Sequence, residues 1–331
     1  MSARVSIVLC TYNGEKYLRR QLDSILSQNY PIYEVIIQDD CSTDCTPEII
    51  KEYESKYPVV KTYLNSHNLG FKKNFDDAVS KATGDYIALS DQDDIWLPEH
   101  IETLVNIIGN KPLACADSMF IDSEDKNLNY LLSQEKQMIH FYDKEIDCAY
   151  RLFYNIAFFH GHNILLQSDF AHKCLPIPDD ITFHDIWFTA LACFLGGIAY
   201  SDKVICKYRQ HQKTVTSHRK YSLFKELKMR HHFDFGVNRI NLYKQLIKRD
   251  DISSHGLLFL EEFRQYAIKC PFLKYRLWCW KWRFSHYKLI YTTDNYRYFL
   301  LRSIHYLLTP SFIKKADVIT LSEKSDCIQN G

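Results

Sequence analysis

The chain has 331 residues, enough for one large domain with an appendage or for two domains, and enough to bury a core without disulfides or a structural metal. Its 46% hydrophobic and 24% charged content is ordinary for a globular protein. A formal net charge of +1 hides an asymmetry, because residues 1–220 carry −8 and residues 221–331 carry +9. That split points to two parts with different partners.

The first residues, MSARVSIVL, hold an apolar run too short for a secretory h-region and lack a cleavage site. No stretch reaches the roughly 18 uncharged apolar residues of a membrane span. A cytoplasmic protein is expected. The eleven cysteines agree with that expectation. None form C-x-x-C, and the nearest pair, Cys41 and Cys45, has no neighbouring His. The pattern argues against a zinc site or a disulfide framework and for reduced thiols.

In chain order, residues 5–9, 34–38, 60–64, 86–89 and 113–119 read as strands. Helical spacing lies between them. It appears at Tyr17, Leu18, Leu22, Ile25 and Leu26, then at Phe71, Phe75, Ala78, Val79 and Ala82. A third helix, with Pro98 near its start, carries Ile101, Leu104, Val105 and Ile108. The alternation predicts βαβ units around a mostly parallel sheet. Residues 121–155 are irregular, then aromatic. Residues 184–195 read as a helix and residues 204–208 as a strand. From about Tyr221 the pattern is helical, aromatic and basic, with a boundary near Lys220. The expected domains are therefore 1–220 and 221–331.

Ligands of such sheets lie at the carboxyl ends of the strands. The loops there read Cys10-Thr11-Tyr12-Asn13-Gly14, Asp39-Asp40-Cys41-Ser42-Thr43-Asp44 and Ser90-Asp91-Gln92-Asp93-Asp94. Two of the three are crowded with carboxylates. The chain has neither G-x-G-x-x-G nor G-x-x-x-x-G-K-[ST], which disfavours a dinucleotide-binding Rossmann enzyme and a P-loop NTPase. A divalent cation is the other means of holding a diphosphate. Asp91 and Asp93, two apart on one turn, suit a hard ion such as Mn²⁺ or Mg²⁺. The bland alternative is a solvated turn in which Asp94 caps the next helix.

The segments VSIVLCTYNGEKYL, DDCSTDCT, NLGFKKNF and GDYIALSDQDDIWLP resemble the donor-binding half of inverting family 2 glycosyltransferases. SDQDDIW, FHDIW and YRQH resemble its rhamnosyltransferase-like branch, and the resemblance covers residues 4–215. It implies a GT-A fold (nucleotide-diphospho-sugar transferase), a Rossmann-like, mostly parallel sheet with a helical C-terminal extension. It also implies a nucleotide-sugar donor, with dTDP-rhamnose favoured and a UDP-hexose or UDP-galactofuranose as alternative. The expected acceptor is a saccharide or a lipid-linked saccharide.

Carried over by residue, Thr11, Tyr12 and Asn13 match the loop that touches the nucleotide. Asp39 and Asp40 match the pair that contacts base and ribose. Lys73 and Asn74 match a basic-amide step near the donor, and Gln92 falls within the D-x-D loop. Asp91 and Asp93 match the D-x-D, with Asp93 the closer metal ligand. Asp185 matches the general base, and His211 a late histidine that completes the metal or diphosphate site. His184 reads as a packing residue. The chain departs from the family by Cys41 in place of Gly, by Ile186-Trp187 in place of a double Trp, and by Gln212-Lys213-Thr214 after the YRQH motif. It also lacks the Q-x-x-R-W of processive synthases.

Two rivals are a nucleotidyltransferase, which would want a Gly-rich basic first loop, and a degenerate donor-binding subunit without activity. Nucleic acid is not an expected partner, since the N-terminal part is acidic and no recognition motif occurs. Within residues 271–291, Leu273, Leu277, Trp280, Phe284, Tyr287 and Tyr291 share one helical stripe. Lys274, Lys281 and Lys288 flank it on one side, Arg276 and Arg283 on the other, while Trp278 and Trp282 fall on the opposite face. This is the pattern of a helix lying on an anionic membrane surface, and equally of a packing helix whose cationic heads reach water.

Overall fold

A computed structural model describes residues 2–136, 145–154, 160–211, 235–269 and 275–286. The chain divides into two compact units. One comprises Met1–Glu145 and Ala157–His218, the other Ile146–Ile156 and Arg219–Gly331.

The first unit is built on a nine-stranded sheet. Its strands are β1 (Val5–Thr11), β2 (Glu34–Asp39), β3 (Val60–Leu64), β4 (Tyr86–Ser90), β5 (Ile95–Trp96), β6 (Leu113–Ile121), β7 (Asn127–Leu131), β8 (Ile164–Gln167) and β9 (Ile198–Arg209). Their order is β3-β2-β1-β4-β8-β6-β9-β5, with β7 paired to β6. The β3-β2-β1-β4 half is parallel, β8 runs antiparallel between β4 and β6, and β9 lies parallel to β6.

Strands β1 and β2 are buried along their whole length, and their centres, residues 7–9 and 35–37, run apolar without alternation, as strands covered on both faces do. Helices α1 (Leu18–Leu26), α2 (Thr46–Lys56) and α4 (His100–Ile108) share one core with Val5, Ile7, Leu9, Val35 and Ile37. Helix α3 (Phe71–Ser80) packs on β1 and β2, burying Phe75, Ala78 and Val79. Phe71, the first member of its predicted stripe, stays exposed.

At the amino end of the sheet, far from the strand C-termini, Glu34 is buried. Its carboxylate accepts hydrogen bonds from Ser6 Oγ (2.6 Å), Thr83 N (2.8 Å) and Lys61 Nζ (2.7 Å). Burial pushes this carboxyl up, but the Lys61, Ser6 and Thr83 bonds outweigh it and hold it below its ordinary value.

The stretch predicted as irregular holds β7, α5 (Leu132–Lys136) and α6 (Glu145–Tyr154). Helix α7 (Ser168–Lys173) follows β8, and α8 (His184–Phe194) is almost wholly buried. In the second unit, Tyr150 and Phe153 of α6 pack on α10 (Ser254–Lys269), and α9 is Phe235–Leu246. Helix α11 (Arg276–Ser285) lies against α10 through Trp282 and Arg283, and Cys279 is buried. Trp282 Nε1 donates to Glu262 Oε1 at 2.6 Å, and Arg283 reaches the Tyr266 hydroxyl. Leu277 and Phe284 of the predicted stripe face outward; Leu273, Tyr287 and Tyr291 lie outside the described residues. Among the described residues no helix is long and apolar enough to cross a membrane.

Candidate active site

The chain order reverses between β1 and β4, and the predicted site residues gather at that crevice. Thr11 and Asp39 end their strands side by side in register. Thr11 Oγ1 donates to Asp39 Oδ1 at 2.7 Å, and Ser42 N donates to Asp39 Oδ2 at 2.8 Å. Asp40 accepts Leu69 N (2.7 Å) and Asn65 Nδ2 (2.8 Å) at one oxygen and Gly70 N (2.8 Å) at the other. The second loop is thus tied both to the first strand and to the segment entering α3. Its turn passes through Cys41 at φ +63°, the left-handed region where glycine is favoured.

The first loop is tied to its neighbours in the same manner. Asn13, at φ +49°, donates its N–H to Ser42 Oγ and accepts Thr43 N at its side-chain oxygen, both at 2.8 Å. Gln92 brackets Tyr12, accepting its N–H at 2.9 Å and donating to its carbonyl at 3.1 Å. A Cβ on Gly14 would stand 2.2 Å from Gln92 Oε1, so this bracket requires glycine there. Thr11, Asn13, Asp39, Asp40 and Gln92 therefore form a bonded floor of three loops. The Tyr12 ring remains 46% exposed above it.

Lys73 is exposed on α3, while Asn74 is buried, bonding Gln38 O and Asn65 within that floor.

Asp91 and Asp93 follow β4. Burial, then Asp93, then Asp185 raise the Asp91 carboxyl to about 8, so the three acidic groups share one field. His211 Nε2 lies 2.7 Å from Asp93 Oδ2. Asp185 opens α8, partly exposed, with Oδ1 accepting Ile186 N at 2.7 Å. His184 beside it is buried and stacks on Phe75 with centroids 3.8 Å apart; burial lowers its imidazole to about 3.

Asp94 does not cap the following helix. It turns inward, fully buried, where its Oδ1 accepts Arg209 N at 2.9 Å, while α4 begins only at His100. Arg209 is the residue whose full importance the sequence conceals. Also fully buried, it donates Nε to Asp93 O (2.6 Å) and NH1 to Asp122 O (3.0 Å), pairs with the Asp125 carboxylate, and lies over the Tyr17 ring at 4.4 Å. Two of its partners, Asp122 and Asp125, come from a turn with no sequence signature.

Among the described residues one cluster of three donors is gathered closely enough to hold a metal ion. Asp94, His162 and Cys206 have ligand atoms within 4.8 Å of one another. That set is walled in completely, with Asp94 held by Arg209 N and His162 Nε2 2.9 Å from Ser118 Oγ. A diphosphate has no way to it. Asp91, Asp93 and His211, the set expected from the sequence, lie partly exposed at the strand ends, with His211 in contact with Asp93. Their oxygen and imidazole donors fit a hard or borderline divalent cation.

The reversed strand order, the carboxylate loop after β4 and the antiparallel β8 define a nucleotide-diphospho-sugar transferase fold of the GT-A type. The chain belongs to Glycosyl transferase family 2, whose profile matches residues 6–175. An uncharacterized protein of Mycobacterium tuberculosis is 46% identical over 217 residues, covering 62% of this chain. The chain spans 59% of that relative's length. The dTDP-rhamnosyl transferase RfbG of Shigella flexneri is 30% identical over 214 residues, 62% of this chain and 72% of that protein. Staphylococcus aureus TarS 1-349 in complex with UDP-GlcNAc shares the fold at a TM-score of 0.57 and 17% identity, over 98% of this chain and 92% of that one. Mannosyltransferase PcManGT of Pyrobaculum calidifontis, solved with GDP-Man and Mn²⁺, shares it at 0.55 and 14%, over 98% and 89%.

Proposed function

We propose that the protein is an inverting, metal-dependent glycosyltransferase. It moves a sugar, L-rhamnose from dTDP-rhamnose by preference, to a saccharide or lipid-linked acceptor in surface polysaccharide synthesis. The observation that carries this is the meeting of Asp91, Asp93, Asp185 and His211 at the strand ends, beside a preformed floor of three loops.

Thr11, Tyr12, Asn13, Asp39 and Asp40 line the donor's nucleotide side, with the exposed Tyr12 ring available to the base. Lys73, at the solvent edge of α3, supplies positive charge to the donor. Asp91, Asp93 and His211 would hold Mn²⁺ or Mg²⁺, which as a Lewis acid stabilises the leaving diphosphate. Asp185 takes the proton from the acceptor hydroxyl as that oxygen attacks the anomeric carbon. One bond forms there while the bond to the phosphate oxygen breaks on the opposite side, so the configuration inverts. No covalent intermediate is required. The match to RfbG supports the rhamnose donor. A UDP-sugar is the second reading, favoured by the likeness to TarS in complex with UDP-GlcNAc.

The test is a donor screen that follows nucleoside diphosphate release with Mn²⁺ or Mg²⁺, using dTDP-rhamnose and a panel of UDP-sugars. Release that requires a metal is expected. Silence with every donor, alongside retained donor binding, would return the protein to an inactive donor-binding subunit. With a lipid-linked acceptor, the enzyme would work in the cytoplasm and meet its substrate at the inner membrane face, where the basic second unit could engage anionic lipid.

A further inference from the structure

Lys72 and Lys73 stand side by side at the start of α3, and Lys72 is the one that turns inward. Its Nζ donates to the carbonyl oxygens of Pro178 (3.0 Å), Asp179 (2.8 Å) and Ile181 (3.0 Å). An ammonium group has three hydrogens. These carbonyls use all of them, which leaves Lys72 no donor for a phosphate. The turn they belong to is closed by Ile181 N on Pro178 O at 3.1 Å.

Lys72 does not act alone on this segment. Asp76, one helical turn later, accepts Ile177 N at 3.0 Å. Phe71 stacks on Phe183 with centroids 5.5 Å apart, and Phe75 stacks on His184. Positions 71, 72, 75 and 76 make one face of a helix. That face fastens residues 177–184, and the next residue is Asp185.

The same N-terminal end of α3 is also fixed from the donor side. Asp40 takes the N–H groups of Leu69 and Gly70, and Asn74 Nδ2 donates to Gln38 O at 2.9 Å. The first turns of α3 therefore contact both the loop after β2 and the segment leading into α8.

We propose that Lys72 is the positioning residue for Asp185. Its ammonium gathers the three carbonyls of the 178–181 turn and so sets where the start of α8 stands against the Asp91–Asp93 loop. The proposal rests on the reading of Asp185 as the general base. Without the ammonium, three carbonyl dipoles point at one place and repel. The turn opens to water and the base moves. A displacement of about 1 Å in a reacting group can cost ~10²-fold in rate. The donor floor is tied through Asp40 rather than Lys72, so donor binding is spared.

A double-mutant cycle of Lys72→Met and Asp185→Asn tests this in the full chain. Turnover is read with the donor that succeeds in the screen, and affinity by calorimetry with its nucleoside diphosphate and Mn²⁺. Lys72→Met should lower turnover by roughly 10–10²-fold and leave affinity within about two-fold, and it should add no further loss in the Asp185→Asn background. Amide exchange should rise across residues 177–187. Lys72→Arg should recover only part of the turnover, because a planar guanidinium cannot direct three N–H groups as an ammonium does. Lys72→Gln replaces Lys72→Met throughout if the latter does not fold. Unchanged turnover, a multiplicative loss in the double variant, or weakened nucleotide binding would overturn the role of Lys72 while leaving Asp185 as base. Full turnover in Asp185→Asn alone would instead remove the base, and the proposal with it.

Discussion

His211 Nε2 lies 2.7 Å from Asp93 Oδ2, joining the residues just after β9 to the loop after β4 across 118 positions of sequence. The contact brings an imidazole nitrogen and a carboxylate to one point. Arg209, two residues earlier, holds the Asp93 carbonyl and offers its own N–H to Asp94. The D-x-D loop is thus latched from β9 at three places. Asp93→Asn keeps the shape and removes an anionic ligand. Turnover should fall by at least ~10²-fold, corresponding to roughly 3 kcal/mol or more of lost transition-state stabilisation. Mn²⁺ affinity, followed by electron paramagnetic resonance, should weaken in both Asp93→Asn and His211→Ala. Full activity in excess EDTA would sink the metal reading.

Asp91 sets a pH window. In the metal-free protein its carboxyl is raised to about 8, chiefly by burial and then by Asp93 and Asp185. It is therefore mostly protonated at neutral pH and ionises as pH climbs through about 8. Mn²⁺ affinity of the free enzyme should rise between roughly pH 6 and 8 and then level off, with protons released on binding below that point. The stability linkage has the opposite slope. A carboxyl raised on folding contributes stability that is complete below its unfolded value, near 4, and lost as pH rises toward about 8. Metal-free wild type should therefore lose Tm relative to Asp91→Asn across that window. Parallel melting curves for the two proteins would show that Asp91 is not raised.

Asp185 separates binding from chemistry. Asp185→Asn should lower turnover by about 10²–10⁴-fold, the usual worth of a general base. Calorimetric affinity for the nucleotide should barely change, because the donor floor is bonded among Thr11, Asn13, Asp39, Asp40 and Gln92. An affinity collapse with turnover preserved at saturation would make Asp185 a binding residue.

The strands that position the site were legible because β1, β2 and β4 are continuous apolar runs ending in polar loops. Strand β8 was not read, since its four residues ILLQ cannot be told from a helix fragment by periodicity. Strand β5 has two residues and exists only because Ile95 and Trp96 pair with β9. Beside that pairing Asp94 turns inward to Arg209 N, which rules out the alternative of an exposed helix cap. The choice between Lys72 and Lys73 was equally hidden. It depends on a turn more than 100 residues away, which no local pattern reports.

Cys41 offers a stability test. Its φ of +63° lies in the left-handed region that glycine adopts without strain, and a side chain there costs about 1–2 kcal/mol. Glycine also adds unfolded-state entropy worth ~0.4–1 kcal/mol against folding. Cys41→Gly should therefore stabilise the protein by up to about 1 kcal/mol, read as a raised urea midpoint at constant slope. A lowered midpoint would mean that the thiol makes contacts worth more than the strain.

The second unit supplies the last prediction. Helix α11 turns Trp282 and Arg283 toward α10 and leaves Leu277 57% and Phe284 36% exposed, with Lys281 also exposed. Exposed apolar residues beside lysines on a +9 segment suit an anionic lipid surface better than water. Each Lys or Arg near such a surface contributes on the order of 1 kcal/mol, screened by salt, and burying Leu277 and Phe284 adds to it. The protein should co-sediment with vesicles containing anionic lipid, less so as salt rises, and bind neutral vesicles weakly. Replacing Lys274, Lys281 and Lys288 together by Glu should abolish binding; Lys274 and Lys288 lie outside the described residues. Turnover with a soluble acceptor should survive, since none of the three belongs to the candidate site. Leu277→Ser with Phe284→Ser separates the apolar contribution, and should weaken binding while leaving its salt dependence in place. Equal recovery of wild type and the triple variant, on neutral and anionic vesicles alike, would make α11 a packing helix whose outward face has no lipid partner.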